Sequence, residues 1–306
     1  MRTALQHGLT LALSCGLVCA PACSQQKKEK ANAIPLQAVL DRLGPECGQY
    51  SPGTDCGLAV RDLTSGETAS YRGGAYYASA STVKALWVAA ALADVGLEKV
   101  QPYVRAIFVD SDNSASGSVI DLLASPDRIN TFTWQTLGVN DIGFCHWNYD
   151  HKRVAENCPQ GPRKGHNFIT ADAAVGFLTA LWEKRALNEA NTQKLLEWMK
   201  LSPRQGYGGW LGTQLPEAAR ATMHHKAGWL PPVESPENSN ANEIGIVEVP
   251  GGHVYAVALL LNGAPSQESY DQKQLPTLEY TSCVIYHAVA KDQPDPFGAC
   301  RHPSLN

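Results

Sequence analysis

The run from Tyr76 to Leu92, YYASASTVKALWVAAAL, limits the fold more than any other stretch of this sequence. Its second half, Ala85 to Leu92, is apolar at every position and lacks the polar face that a surface helix needs. A helix of that kind has to be enclosed on all sides, which requires a domain large enough to wrap it. At its head stand Ser81 and Lys84, at the i, i+3 spacing that puts two side chains on one helix face within reach of each other. A serine there lies near the positive end of the helix dipole, and an amine beside it can take its proton. The pair has the makings of an activated nucleophile. Spacing alone decides little, because Ser24 and Lys27 share it in a polar stretch.

The chain can supply such a domain. Its 306 residues are 44% hydrophobic with a net charge of −4, which suits one or two globular domains. No basic excess or stripe points to nucleic acid. Arg2 precedes an apolar stretch from Gly8 to Ala20 that is too short to span a bilayer as a helix. Ala20 and Ala22 then offer the small residues of a signal cleavage site, predicting a signal peptide over 1–22 and Cys23 as the first mature residue. A polar, lysine-rich stretch follows and resembles a bacterial lipoprotein start with Cys23 lipidated, although Ala20 stands where such signals usually carry leucine. Residues 23–34 read as a tether and 35–306 as the catalytic domain.

Cysteine parity agrees with that reading. Of nine cysteines, the signal holds Cys15 and Cys19, and Cys23 would be acylated. The other six fall into neighbouring pairs: Cys47 with Cys56, Cys145 with Cys158, and Cys283 with Cys300. An even set in an exported chain reads as disulfides, and short local loops are the economical pairing. Zinc is the rival, with no CxxC spacing to support it. The adjacent His224 and His225 should point to opposite faces of a strand, one toward a cleft and one toward the core, which argues against a metal site. No cofactor is expected.

Periodicity predicts a short amphipathic helix from Pro35 to Leu43, a strand from Cys56 to Leu63 and a hairpin partner from Glu67 to Tyr71. Helices follow over Ser81–Leu92, Leu97–Val109, Ser114–Leu123 and Asp127–Leu137. Residues 138–168 show no period, and a loop of that length inside a domain is usually functional. Thr170 caps an amphipathic helix, another runs from Asn188 to Leu201, and strands are expected at Thr222–Leu230, Asn242–Val249 and His253–Leu261. A helix over Leu278–Val289 closes the chain. The layout is α+β: one antiparallel sheet made by the N-terminal hairpin and the C-terminal strands, with helices on its faces.

Three short elements then come in order: Ser81-Thr82-Val83-Lys84, Ser111-Asp112-Asn113, and Lys226-Ala227-Gly228 at the head of a strand. Together they resemble the penicillin-recognising serine enzymes, above all the class A β-lactamases, whose signature is S-x-x-K, S-D-N and K-T-G. The resemblance covers roughly residues 35–290. It implies that Ser81 is acylated, Lys84 acts as base, and Ser111 relays the proton to the leaving group. Asn113 would bind the substrate amide, Lys226 would supply positive charge, and the Ser81 and Trp229 N–H groups would form an oxyanion hole. Each element alone reads equally well as a chance spacing, a helix cap or a turn.

Three departures qualify the resemblance. Lys84 and Ser111 are only 27 residues apart, about half the family's usual separation, so that side of the cleft should be more open. Ala227 removes the hydroxyl of K-T-G, which helps to hold a substrate carboxylate. In the irregular loop, His146-Trp147-Asn148 falls where the family has Arg-x-Glu, replacing the carboxylate that activates the deacylating water with Asn148, which cannot take a proton. Glu156 is the foremost substitute, with Asp150 and His146 behind it.

The expected protein is an exported, lipid-anchored, monomeric serine hydrolase of the bacterial periplasm or cell envelope. It would act on a β-lactam, amide or ester, with a small-molecule or peptidoglycan-related substrate and slow deacylation. A D-alanyl-D-alanine carboxypeptidase-like enzyme is the runner-up. A catalytically idle envelope-binding lipoprotein is the reading from another class, and Ala227 and Asn148 are the residues that favour it.

Overall fold

Leu36, Val39, Leu40 and Leu43 recur at the spacing of one helix face, and all are buried on α1 (Leu36–Tyr50). The helix starts after Pro35 as expected but continues through Pro45. The computed structural model describes residues 34–147, 153–158, 167–235 and 238–303. The expectations for Cys23 and the leader, and for Asn148 and Asp150, lie outside these residues.

After α1 come β1 (Asp55–Asp62), β2 (Thr68–Tyr71), β3 (Tyr77–Ala78) and a 3-10 turn over Ala80–Val83. The helical side follows with α2 (Lys84–Val95), α3 (Leu97–Val109), α4 (Asn113–Asp121) and α5 (Asp127–Thr131), the last continued by a π turn over Phe132–Thr136. Next are β4 (Ile142–Gly143), β5 (Phe168–Ile169), α6 (Ala171–Trp182), α7 (Glu189–Met199), and the short α8 (Trp210–Thr213) and α9 (Glu217–Arg220). The chain closes with β6 (His224–Leu230), β7 (Asn240–Glu248), β8 (Val254–Asn262), α10 (Gln267–Ser269), a second π turn and α11 (Leu275–Ala290).

The N-terminal hairpin and the three C-terminal strands form one antiparallel sheet in the order β2-β1-β8-β7-β6. β7 and β8 are buried along almost their whole length, because helices cover both faces. Ile244, Ile246, Ala256, Ala258 and Leu260 face the core around α2 and α6. Val247, Tyr255, Val257, Leu259 and Leu261 face the core around α1 and α11. Every residue from Lys84 to Leu92 on α2 is buried, as its unbroken apolar run demands. At about 1.5–3 kcal/mol for each large side chain, Leu86, Trp87, Val88 and Leu92 anchor this helix firmly.

A second, three-stranded sheet was not legible in the pattern. β5 pairs with both β3 and β4, stitching the two ends of the irregular loop to the segment just before Ser81. Two-residue strands carry no alternation to read. Among the described residues, no helix is long and apolar enough to cross a membrane.

Two of the three expected disulfides are formed, Cys145–Cys158 and Cys283–Cys300. The third expectation needs correction: Cys47 and Cys56 are neighbouring but unlinked, buried thiols. Burial pushes the Cys56 thiol well above its ordinary value, with a hydrogen bond between the two thiols adding to it. A protonated, enclosed thiol is a poor nucleophile for disulfide chemistry.

Candidate active site

Ser81 and Lys84 sit on the 3-10 turn and the first residue of α2, so Ser81 lies one turn ahead of the α-helix predicted to begin with it. Side chains three apart nearly eclipse in 3-10 geometry, which keeps both on the cleft side. Ala80 stands immediately before Ser81 with φ 45°, a left-handed conformation that is unfavourable for a residue with a Cβ. Ser111, at the turn between α3 and α4, has φ 53°. Such non-glycine outliers concentrate where structure is over-determined by its surroundings, commonly at functional sites.

The turn between α3 and α4 brings the second element in. Asp112 caps α4, its carboxylate accepting the Ala115 N–H at 2.6 Å. With Asp112 committed to the cap, its neighbours Ser111 and Asn113 face the lysines. Lys84 Nζ donates to Asn113 Oδ1 at 2.7 Å, to Ser111 Oγ at 3.3 Å and to the Ser111 carbonyl. From the other side, Lys226 Nζ donates to Ser111 Oγ at 3.0 Å and to the Ala227 carbonyl at 2.6 Å. Both lysines are 2% exposed. Burial pulls Lys84 down to about 8, partly offset by Asp112. Burial and the neighbouring charge of Lys84 pull Lys226 down to about 7, partly offset by Glu243. Among the described residues no hydrogen bond joins Ser81 to Lys84, whose protons are all spent on acceptors from 111 and 113. Apo sites often hold such contacts open until substrate arrives.

The third element lies close against the first. A Cβ on Gly228 would fall 2.5 Å from both the Ser81 and Thr82 backbone nitrogens, so only glycine lets β6 approach the serine turn this closely. This approach places Trp229 on the cleft wall next to Ser81. Asn242 of β7 ties the same region together, donating to the Ala78 carbonyl at 2.7 Å while accepting the Leu261 N–H at 3.1 Å.

The resulting cleft has a volume of about 960 Å³. Its lining includes Ser81, Lys84, Asn113, His146 and Trp229, all singled out from sequence, and Trp87, Trp147 and Asn167, which were not. Asn167 holds the loop in place by accepting the Cys145 and His146 N–H groups and donating to the His146 carbonyl. Nothing in the sequence distinguishes that asparagine, since its partners are backbone groups of a loop without period.

Glu156 is not where a deacylation base is needed. The Cys145–Cys158 disulfide and the Trp147 and Ala155 backbone bonds fold residues 153–158 back on 145–147. Ala155 is buried, Glu156 points to solvent from a turn, and it is absent from the cleft lining. Among the described lining residues the sole carboxylate is Asp55, which is paired with Arg72. His224 and His225 also differ from expectation. They do diverge, but neither lines the cleft: His224 contacts the Leu196 carbonyl and Glu248, while His225 contacts Glu243. Cys283, His287 and Cys300 gather within 4.8 Å, but the disulfide occupies two of these three potential metal ligands.

Residues 99–279 match the beta-lactamase enzyme family. No curated protein sequence matches the chain. Among solved structures, the TLA-3 extended-spectrum beta-lactamase aligns with a TM-score of 0.66 at 17% identity, covering 82% of this chain and 99% of that one. An ancestral class A beta-lactamase aligns with a TM-score of 0.64 at 20% identity, covering 83% and 100%. A variant of the class A beta-lactamase of the last common ancestor of Gram-negative bacteria aligns with 0.64 at 22%, covering 80% and 96%. These likenesses establish the shared fold.

Proposed function

Because the chain belongs to the beta-lactamase enzyme family, we propose that it is a serine hydrolase that forms an acyl-enzyme at Ser81 and discharges it slowly. The observation that carries this reading is Ser111 Oγ held between two buried lysines at the mouth of the Ser81 turn. A hydroxyl has two lone pairs and one proton. With both lone pairs engaged by the lysines, the Ser111 proton is the one part of the hydroxyl left to give to a leaving nitrogen or oxygen.

In this reading Lys84, once neutral, takes the Ser81 proton as Oγ attacks the carbonyl carbon. Lys226 holds the positive charge that Ser111 and a substrate carboxylate meet. The tetrahedral oxyanion is received by the Ser81 and Trp229 N–H groups. Collapse breaks the C–N or C–O bond, and the leaving group departs with the Ser111 proton, which Ser111 recovers through the lysines. Two ammonium groups on one hydroxyl repel, so the pair sheds one proton near neutral pH. Without substrate Lys226, at about 7 against about 8 for Lys84, gives it up first. A substrate carboxylate beside Lys226 holds the charge there and moves the loss to Lys84, which becomes the base. Asn113 orients Lys84 and offers its amide to the substrate.

Deacylation is the weaker half. Asp55 is engaged by Arg72, and Glu156 faces solvent. The substrate class is therefore an activated cyclic amide, linear amide or ester, with β-lactams first among them. The leader features of the sequence support residues 1–22 as a signal peptide, lipidation at Cys23 and a tether to residue 34 ahead of the catalytic domain over 35–306. A fluorophosphonate probe tests the core of the proposal. Ser81 should label and Ser81→Ala should not; an unlabelled wild-type protein would favour the idle binding protein instead.

A further inference from the structure

The sheet face that carries Gly228 against Ser81 continues past it into a second, polar end of the cleft. Strand register puts Gly57, Leu260, Asn242 and Gly228 in one row across β1, β8, β7 and β6. Asp55, Asn262, Asn240 and Leu230 form the next row on the same face. Residues 77–81 cross above the first row. Tyr77 lies on Gly57, where a Cβ would come within 2.4 Å of its ring, Asn242 holds the Ala78 carbonyl, and Ser81 meets Gly228. From the second row Asp55, Asn240 and Leu230 line the cleft, and Arg72 lines it beside them. That row lies two residues, about 7 Å, farther along the strands, and Asp55 and Asn240 stand two strands, about 10 Å, apart.

Acceptors dominate this end. Asn240 is 1% exposed; its Nδ2 donates to the Asn238 carbonyl at 3.0 Å, while its Oδ1 meets no donor among the described residues. Asn262 stands between Asn240 and Asp55 in the row, and its Oδ1 is likewise enclosed without a donor among the described residues. Bare amide oxygens in an enclosed site are costly and call for N–H or O–H groups. Asp55 adds a carboxylate and Arg72 a guanidinium. The two pair with each other, but their side chains are 44% and 51% exposed, so the pair is weak and readily exchanged. Arg72 itself is held at φ 49°, a left-handed conformation of the kind that concentrates at ligand sites.

We infer that this end of the cleft is a subsite for an acyl group that terminates in an α-amino acid, with its ammonium between Asp55 and the Asn240 and Asn262 amide oxygens and its carboxylate on Arg72. The inference rests on the acyl-enzyme reading for its direction. There the leaving group lies toward Ser111, which Lys226 holds, so the acyl part runs the other way along β6, from Gly228 toward Leu230. Charge selects the zwitterion. An ammonium alone would compete with Arg72 for Asp55 and leave the guanidinium unpaired, and a carboxylate alone would draw Arg72 away and leave Asp55 unpaired. A group carrying both exchanges one ion pair for two and brings the N–H donors that the amide oxygens lack. An acyl chain reaching about 10 Å from the reacting carbonyl spans the distance.

The test is calorimetric binding to the full-length chain carrying Ser81→Ala, using three cephalosporins that share one nucleus. The first has a side chain ending in an α-amino acid, the second is the same compound N-acetylated at that amine, and the third is its side-chain methyl ester. The amino-acid compound should bind about tenfold more tightly than either of the others, the usual worth of one charge-assisted hydrogen bond. Asp55→Asn should bring its advantage over the N-acetylated compound close to one, and Arg72→Gln should do the same for its advantage over the ester. Equal affinities, undetectable binding of all three, or advantages that survive both substitutions would overturn the inference. These affinities are read without acylation, whereas fluorophosphonate labelling of wild-type Ser81 tests the acyl-enzyme reading, so either can fail without the other.

Discussion

Replacing Gly228 with alanine adds one carbon at the most confined point of the cleft. The new Cβ would lie 2.5 Å from the Ser81 and Thr82 nitrogens and 3.1 Å from the Ser81 carbonyl carbon. Ordinary contact begins near 3.4 Å, so β6 and the serine turn must separate by about 0.9 Å, from 3.4 − 2.5. The obstructing atoms are backbone, and the turn is anchored by the buried residues of α2, so little of this can be relieved by side-chain motion. Overpacking of this kind costs about 1–3 kcal/mol, lowering Tm by roughly 2–10 °C in a domain of this size. The same displacement misaligns the Ser81 and Trp229 N–H donors, and a shift of about 1 Å at a reacting centre typically costs about 10²-fold in rate. Stopped-flow acylation with a chromogenic β-lactam and a thermal melt measure both quantities. Gly74→Ala is the control, because a Cβ there meets nothing and the change should stay within about 0.5 kcal/mol. Wild-type acylation and an unchanged Tm in Gly228→Ala would refute the close approach of β6 to Ser81.

Lys84→Met should slow acylation by about 10²–10⁴-fold, the usual contribution of a positioned general base, while chemical denaturation shows the fold intact. A near-normal rate would remove Lys84 from the chemistry. Both buried lysines bind protons less readily in the folded chain, at about 8 and about 7 against 10.5, so the unfolded chain holds more protons across that window. Stability should therefore rise from pH 7 toward pH 10, and Lys226→Met should remove much of that rise. Urea melts across this range that show no such slope in the wild type would contradict the burial of charge. Asn242→Ala should cost about 2–3 kcal/mol, since it frees the buried Ala78 carbonyl and Leu261 N–H together; a loss under 0.5 kcal/mol would mean that water replaces both bonds.

The sheet and most helices were legible because their signals are local. The apolar run of α2, the caps at Thr170 and Asn188, and the alternation and turns of the strands each identify an element within a dozen residues. That Ser81, Lys84, Ser111, Asn113 and Lys226 come together was legible through the order of three short motifs, which no single spacing would have revealed. What escaped depends on long-range closure. The two-residue strands β3, β4 and β5 have no period, and Asn167 and Asn242 act on backbone groups distant in sequence. Glu156 misled for a related reason: its position along the loop suggested the cleft, but the Cys145–Cys158 link and the burial of Ala155 turn it outward. One of His224 and His225 was expected to face the cleft; neither does, and His225 meets the buried Glu243, because β6 and β7 pair in a register that cannot be read from either strand alone.

Intact-mass spectrometry over time, with and without a β-lactam and with Ser81→Ala beside the wild type, decides whether Ser81 carries a lasting acyl group. One covalent adduct per wild-type molecule should form quickly, persist after free drug is removed, and be absent from Ser81→Ala. An adduct on Ser81→Ala, or rapid steady turnover in which the wild type never accumulates an adduct, would contradict it.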